Sequence, residues 1–300
     1  IERSIASFAH DVWLPGEESY FFVLAEITTG QILGTAAINA LAGFEEPFYA
    51  LRNEIFIHSS RALRIHNRIH ALSLTHDLSD HSQLCSFYVV PAIRDTVYPQ
   101  LLTLGRLLYM SAHPSRFAEE WMAVLPGIAD DKGHAPFWEH VGRKFFGMDY
   151  NQVEYYNGTK EKSFIAELMP HHPLYVPLLA EAAQEVMGQV HHDAELQCRL
   201  LAEQGFEADR YVEIFDAGPI LCVKSNGVGT AQHRTPVPLS DRVCEVAAGM
   251  CLIATETPLG FCAVVAEANV TEGGWQLTQE VRDALAMSAD AKVWCMPLRH

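Results

Sequence analysis

Positive charge is scarce in this chain. Its 300 residues carry 21 Lys and Arg against 37 Asp and Glu, a formal charge of −16 at pH 7 with His neutral. Nucleic-acid binding by counterion release needs a dense basic face, so that class is disfavoured. A polybasic membrane-surface protein is disfavoured for the same reason. A local basic pocket for an anionic cofactor remains compatible with the count. Long apolar runs are also missing. The longest candidate, Leu101 to Met110, is interrupted by Gly105 and Arg106 and falls short of the roughly 18 residues a membrane span needs. The N-terminus shows no signal-peptide pattern. There is no Gly-x-Ser-x-Gly, Walker loop or Gly-x-Gly-x-x-Gly. The seven cysteines, Cys85, Cys198, Cys222, Cys244, Cys251, Cys262 and Cys295, are odd in number and form no Cys-x-x-Cys pair. They fit reduced, mostly buried thiols in a cytoplasm better than a disulfide framework or a zinc ribbon.

What is present is the composition of a folded protein. Hydrophobic residues make up 49% and charged residues 19%, which excludes disorder. The length suits one large domain or two of ordinary size. The chain lacks a starting Met and opens on what reads as the middle of a helix (Ile1, Ile5, Phe8, Val12), so the natural chain is expected to extend upstream.

Patterning places the elements. Tyr20 to Ile27 and Gln31 to Ala40 are β-rich runs flanking Thr28-Thr29-Gly30, which predicts a hairpin. Residues 43–80 read as irregular, with a His- and Arg-rich stretch. Leu84 to Val90 reads as a compact strand. After Arg94-Asp95-Thr96, apolar residues at spacings of three and four predict a helix over 98–112, with Pro99 in its first turn. Trp121 to Leu125 is the next predicted strand, stopped by Pro126-Gly127. A helix is predicted from Pro136 with the face Phe137, Trp138, Val141, Phe145. Glu161 to Met169 reads as a short helix or strand. Ala180 to Gly188 and Asp193 to Gln204 read as helices, the second with Asp193 as cap and Gly205 as stop. Strands are predicted at Tyr211 to Phe215, Pro219 to Val223, Met250 to Thr255, Phe261 to Ala266 and Val293 to Pro297. The class is α+β. A weak internal echo, Gly142 with Phe145-Phe146 and Gly205-Phe206, reads either as a degenerate duplication or as coincident helix ends.

The most informative unit for chemistry is the strand over 84–90, its turn, and the helix over 98–112. A strand feeding a helix N-terminus presents free N–H groups to an anion, and Arg94 in the turn can add a charge-assisted contact. Every α/β protein has such turns, so the bland reading is a structural one. Fifteen histidines invite a metal reading, and His66 and His70 stand at i, i+4. No Glu follows His66 in the His-Glu-x-x-His sense and no third ligand is near, so no metal site is expected. The pairs His171-His172 and His191-His192 read, on composition alone, as surface groups near helix ends.

Several segments carry a resemblance. They are Leu84-Cys85-Ser86, Pro136-Phe137-Trp138 with Gly142 and Phe145-Phe146, Met148-Asp149-Tyr150, and the run Lys162 to Pro170 (KSFIAELMP). His172-Pro173-Leu174-Tyr175, Gly188-Gln189-Val190-His191 and Ile214 to Pro219 (IFDAGP) complete the set. Together, over roughly residues 1–223, these resemble the arginine N-succinyltransferase family. Residues beyond 223 match only in general character, and the family's first few dozen residues have no counterpart here.

The resemblance implies a GNAT-like acyl-CoA N-acyltransferase fold, a mixed sheet with flanking helices, extended by a C-terminal α/β part. It implies a GNAT-like domain over 1–150, a second α/β half over 151–223 carrying Gly-Gln-Val-His, and a β-rich subdomain over 224–300. The implied reaction moves the succinyl group of succinyl-CoA to the α-amine of L-arginine, or of ornithine in some members, as the first step of a catabolic route. Succinyl-CoA is then a cosubstrate, with no permanently bound cofactor. Phe87 matches the family's succinyl-CoA contact and His191 its proton donor, and Arg94 is added as a cofactor contact from the turn. A homo- or hetero-oligomer with a similar subunit and a cytoplasmic location are expected, with no nucleic acid or membrane partner. The chain departs from the family at Val97-Tyr98-Pro99, where a Gly-Asn-Gly-type turn is usual. Val124 and Gln83 stand where the family has Glu. The alternatives are a CoA-dependent N-acyltransferase with another amine or acyl group, and a catalytically silent partner subunit.

Overall fold

The computed structural model describes residues 1–239, 249–257, 260–271, 274–287 and 291–298. Helix α1 (Glu2–Ala9) precedes strands β1 (Ser19–Ala25), β2 (Ile32–Asn39), β3 (Ala50–Ser60), β4 (Ile65–Thr75) and β5 (Ser82–Val89). Helix α2 (Tyr98–Ala112) leads to β6 (Glu120–Val124), and a π-helical turn (Trp138–Gly142) runs into α3 (Arg143–Phe146). There follow α4 (Tyr150–Thr159), α5 (Ser163–Leu168), β7 (Leu174–Tyr175), α6 (Glu181–Val186), α7 (Glu195–Ala202), β8 (Glu207–Val212) and β9 (Pro219–Lys224). The C-terminal part holds β10 (Val237–Pro238), β11 (Gly249–Thr257), β12 (Gly260–Thr271), β13 (Gly274–Leu277), α8 (Gln279–Ala284) and β14 (Lys292–Pro297).

Two sheets organise these elements. The first has the order β1-β2-β5-β6-β9-β8-β3-β4-β7, and the second β10-β14-β11-β12-β13. Within the first, β5 and β6 are the parallel pair, and its other ladders are antiparallel. The predicted β1–β2 hairpin forms, with Gly30 at φ +71° in its turn. Only glycine adopts that conformation without strain. Helix α2 lies between the two sheets. Leu101, Leu104 and Leu108 join Ala36 and Val89 of the first sheet and Leu252, Ala254 and Trp294 of the second in one buried cluster. A helix covered on both sides must be apolar all round, which explains why the run from Leu101 to Met110 resembles a membrane segment without being long enough for one. No helix among the described residues is long and apolar enough to cross a membrane.

The structure corrects several expectations. Residues 43–80 are not irregular: β3 and β4 form a long hairpin, paired from Ala50↔Thr75 to Ser60↔Ile65. Its outer half is exposed on both faces, Ile55, Ile57 and Ile65 included. With neither face buried, the period-2 hydrophobic signal that marks a strand never arises. His66 and His70 therefore sit on a strand, about 13 Å apart by strand rise, and their helical metal spacing dissolves. Helix α4 is an addition, started by an Asp149/Gln152 capping box. Glu161 to Met169 resolves as helix. Phe146, not Phe145, faces the core. Gly142 lies in the π-turn whereas Gly205 ends α7 at φ +92°, so the two echo positions have different structural roles. Cys85, Cys198, Cys251, Cys262 and Cys295 are free thiols, and Cys244 lies outside the described residues.

Candidate active site

Strands β5 and β6 part company partway along. They pair only at Ser82↔Trp121, Gln83↔Met122 and Leu84↔Ala123. Beyond Leu84, β5 bulges. Ser86 adopts φ +53°, and the register with β2 shifts between Thr35 and Ala37. A non-glycine residue in the left-handed region is uncommon and tends to mark a functional constraint, and a bulge interrupts the ladder and re-aims side chains. On the other arm, β6 ends at Val124, and Leu125 N–H turns to the Pro219 carbonyl of β9, 3.1 Å. The two strands thus diverge into a V whose open end lies at their C-terminal ends.

Phe87 follows the bulge, half-buried against the cluster that surrounds α2. The Arg106 guanidinium stands 5.6 Å from its ring centroid. Arg94 lies just past β5, at the end of the short helical turn Pro91–Ile93. The start of α2 is a narrower anion site than a glycine turn would be. Tyr98 N–H already donates to Thr96 Oγ1, 3.3 Å, and Pro99, buried in the first turn, has no N–H to offer.

His191 reaches the V from the other half of the chain. Gly188, at φ +72°, lets the Gly-Gln-Val-His element turn back, and its N–H donates to the Ala217 carbonyl, 2.9 Å. His191 N–H then donates to the Pro126 carbonyl, 2.8 Å, just past the end of β6. The expected cap residue Asp193 is not the cap. Asp193 N–H donates to His191 Nδ1, 3.3 Å, so the His191 side chain caps the turn that leads into α7. The physical reason is that Asp193 lies inside the turn, where its carboxylate faces outward and pairs with Arg94 Nη1 at 3.4 Å. Because Nδ1 accepts, the neutral imidazole carries its proton on Nε2. Residues 188–194 thereby bridge the open end of the V, tied to β6 through Pro126 and to the β5 side through Arg94.

A cavity of about 370 Å³ adjoins this bridge. Pro126, Leu125, Asn39 and Gln83 form one wall, and Tyr150, Glu154, Lys162, Glu213 and Asp216 the other. Asp216 holds the walls together: Gly127 N–H (2.8 Å), Gly218 N–H (2.7 Å) and the Tyr150 hydroxyl (3.3 Å) all donate to its carboxylate. Glycine is required at that crossing, since a Cβ on Gly218 would lie 2.2 Å from the Leu125 carbonyl oxygen. Glu213 Oε2 accepts from the N–H groups of Phe215 (2.6 Å) and Asp216 (2.9 Å). Burial, and then the neighbouring Asp216 charge, push the Glu213 carboxyl well above the ordinary carboxylate range. Glu154 is raised by the same two causes. A desolvated carboxylate cluster of this kind favours a cationic ligand, which would restore the charged forms. A second cavity, about 620 Å³ and lined by His81, Glu120 and Lys224, lies at the opposite, closed end of the V.

Of the residues singled out from sequence, the structure brings Arg94 and His191 together through Asp193, and places Phe87 on the bulged arm of the V. His191, His192 and Asp193 have ligand atoms within 4.8 Å of one another, the sole such group among the described residues. His191 Nδ1 and Asp193 are already engaged there, and His192 and Asp193 are exposed. The Ser86 bulge, the acidic cavity and the Arg94–Asp193 link were not found from sequence. Tyr150 and Glu154 at i, i+4 on a helix were available as a local signal, but no spacing connects them with Glu213 and Asp216.

Comparison with known proteins identifies the family and the fold. The family model described as arginine N-succinyltransferase beta subunit matches residues 1–230. Arginine N-succinyltransferase subunit alpha of Pseudomonas aeruginosa is 45% identical over 294 residues, 98% of this chain and 87% of that protein. Arginine N-succinyltransferase of Salmonella schwarzengrund is 34% identical over 298 residues, covering 96% and 84%. Both alignments run past residue 223, so the resemblance extends through the C-terminal sheet as well. A solved structure, arginine/ornithine succinyltransferase subunit AI from Pseudomonas aeruginosa, superposes with a TM-score of 0.87 at 41% identity, covering 100% of this chain and 87% of that one. The mixed sheet with its flanking helices is thus the GNAT-like fold the resemblance implied, and the chain belongs to the arginine N-succinyltransferase family of acyltransferases.

Proposed function

We propose that this protein transfers the succinyl group of succinyl-CoA to the α-amine of L-arginine, giving N2-succinyl-L-arginine and CoA, with ornithine as the second candidate acceptor. The observation that carries the reading is the V between β5 and β6, bridged at its open end by the His191 segment. The acyl donor lies along the bulged arm of β5, beside Phe87, with its phosphates toward Arg94 and the start of α2. The amine acceptor enters from the acidic cavity, whose carboxylates suit the guanidinium.

The chemistry then follows from position. The neutral amine nitrogen attacks the thioester carbonyl carbon, and a backbone N–H freed at the bulge stabilises the developing oxyanion. The C–S bond breaks as the amide C–N bond forms. His191 acts as the imidazolium, with Nδ1 toward the Asp193 carboxylate at 3.9 Å, and gives the CoA thiolate the proton on Nε2. The proton the amine loses on becoming an amide recharges the ring, so one proton leaves nitrogen and one arrives on sulfur.

Assembly with a second, similar subunit and a cytoplasmic place of action belong to the same reading, the first supported by the subunit designations of the relatives. The test is thiol release from succinyl-CoA against a panel of amines, with acetyl-CoA as the acyl control. Release is expected with arginine or ornithine and succinyl-CoA. No release with either amine would refute the reading in favour of a silent subunit.

A further inference from the structure

Arg106 is out of place by the ordinary rules of burial. It lies on α2, its residue is 0% exposed, and it faces the sheet directly beneath the β5 bulge. Nη1 donates to two carbonyl oxygens, Ala37 at 3.2 Å and Cys85 at 3.3 Å. Among the described residues Nε and Nη2 have no partner, and no carboxylate pairs with this guanidinium. Burial pushes its pKa down only to about 10, so it is charged at neutral pH. One turn earlier on the same helix, Thr103 is also 0% exposed with Oγ1 unpartnered. Residues i and i+3 share a helix face. A buried guanidinium with no counter-ion and an unpartnered two-nitrogen edge is the arrangement that receives a carboxylate in a fork.

We propose that Arg106, with Thr103 beside it, binds the free carboxylate of the acyl group and so restricts the donor to a dicarboxylic acyl-CoA. The inference rests on the acyltransferase reading above. The geometry that carries it is local. Cys85, whose carbonyl Arg106 holds, directly precedes the bulge residue Ser86, and the Phe87 ring covers the guanidinium face. A succinyl group places three bonds between its thioester carbon and its carboxylate carbon. That reach equals the separation of consecutive Cα atoms, ~3.8 Å. An acyl carbonyl at the bulge therefore puts its far carboxylate within one residue's length of the strand, on the side where Arg106 waits. Rotation of Phe87 about its side-chain torsion opens the way.

The test uses binding rather than turnover. The probes are two CoA thioethers of equal chain length, S-(3-carboxypropyl)-CoA and S-butyl-CoA, measured by calorimetry on the full chain. Wild-type protein should bind the carboxylate analogue at least 30-fold tighter. In Arg106→Gln, with its fold checked by circular dichroism, that ratio should collapse to within threefold while S-butyl-CoA affinity stays the same. Arg106→Lys keeps the charge but loses the fork, and should reduce the ratio about tenfold. Thr103→Val keeps the side-chain volume and should reduce it severalfold. A folded Arg106→Gln protein that retains the wild-type ratio overturns the proposal. Should that variant not fold, an undiminished ratio in both Arg106→Lys and Thr103→Val overturns it equally. Wild-type protein that discriminates the analogues but succinylates no amine would sink the arginine reading and leave this site standing. Protein that succinylates arginine yet binds both analogues alike would do the reverse.

Discussion

Replacing His191 separates the capping contact of one ring nitrogen from the proposed proton donation by the other. Nδ1 accepts the Asp193 N–H and caps a turn, whereas Nε2 is the proposed donor to the thiolate. Loss of a cap acceptor costs about 1 kcal/mol. Loss of a general acid costs 10²–10⁴ in turnover, about 2.7–5.4 kcal/mol of barrier at 1.36 kcal/mol per decade. His191→Ala should therefore show both losses. His191→Asn should show only the second, because the Asn side-chain oxygen is a strong cap acceptor but its amide supplies no proton. Thiol release under saturating succinyl-CoA and arginine measures the catalytic part, and urea unfolding the structural part. Turnover of His191→Asn within tenfold of wild type would refute the proton-donor role. An Asn variant as destabilised as the Ala variant would refute the Nδ1 cap, and with it the tautomer that leaves the proton on Nε2.

Glu213→Gln tests the acidic cavity. The folded-state pKa of Glu213 is raised, so its contribution to stability is complete below the unfolded carboxyl value, about 4.3, and is lost as pH rises through the folded value. The Gln variant, which keeps an acceptor for Phe215 and Asp216 N–H, should be less sensitive to alkaline pH in unfolding midpoints taken at pH 5 and pH 8; an identical slope would show that Glu213 is not the group responsible. Arginine binding should release a proton from this cluster, so its affinity should rise with pH in wild type and less so in Glu213→Gln, read by calorimetry in buffers of different ionisation heat. Gly218→Ala sets a Cβ against the Leu125 carbonyl oxygen and Gly127 nitrogen, 2.2 and 2.5 Å away. Overpacking against backbone should cost about 1–3 kcal/mol, and an unchanged urea midpoint would mean that the end of β6 yields freely.

The reach of sequence reading varied with how local the cause was. Hairpin β1–β2, strand β5, helix α2 and strand β6 were all expected close to their observed bounds, because each has a local apolar period and a breaker near its end. The β3–β4 hairpin was missed because its outer half buries neither face and so has no periodicity to read. Asp193 looked like a helix cap by residue type, yet the neighbour two residues earlier took that role. Phe87, Arg94 and His191 came from an anion-binding turn and a family resemblance, and neither signal contains the contact between Arg94 and Asp193 that brings residues 99 positions apart together.

By itself the sequence determined the acidic balance, the absence of a membrane-length apolar run, the α+β class and the family. These depend on composition, local period and motif, all of which survive in one dimension. The tertiary structure alone decided where charge matters. It put Glu154, Glu213 and Asp216 around one cavity, set Arg106 beneath the β5 bulge with no counter-ion among the described residues, and closed the open end of the V with the His191 segment. Those are consequences of burial, which removes water from particular groups and leaves each dependent on partners that the chain brings from far away.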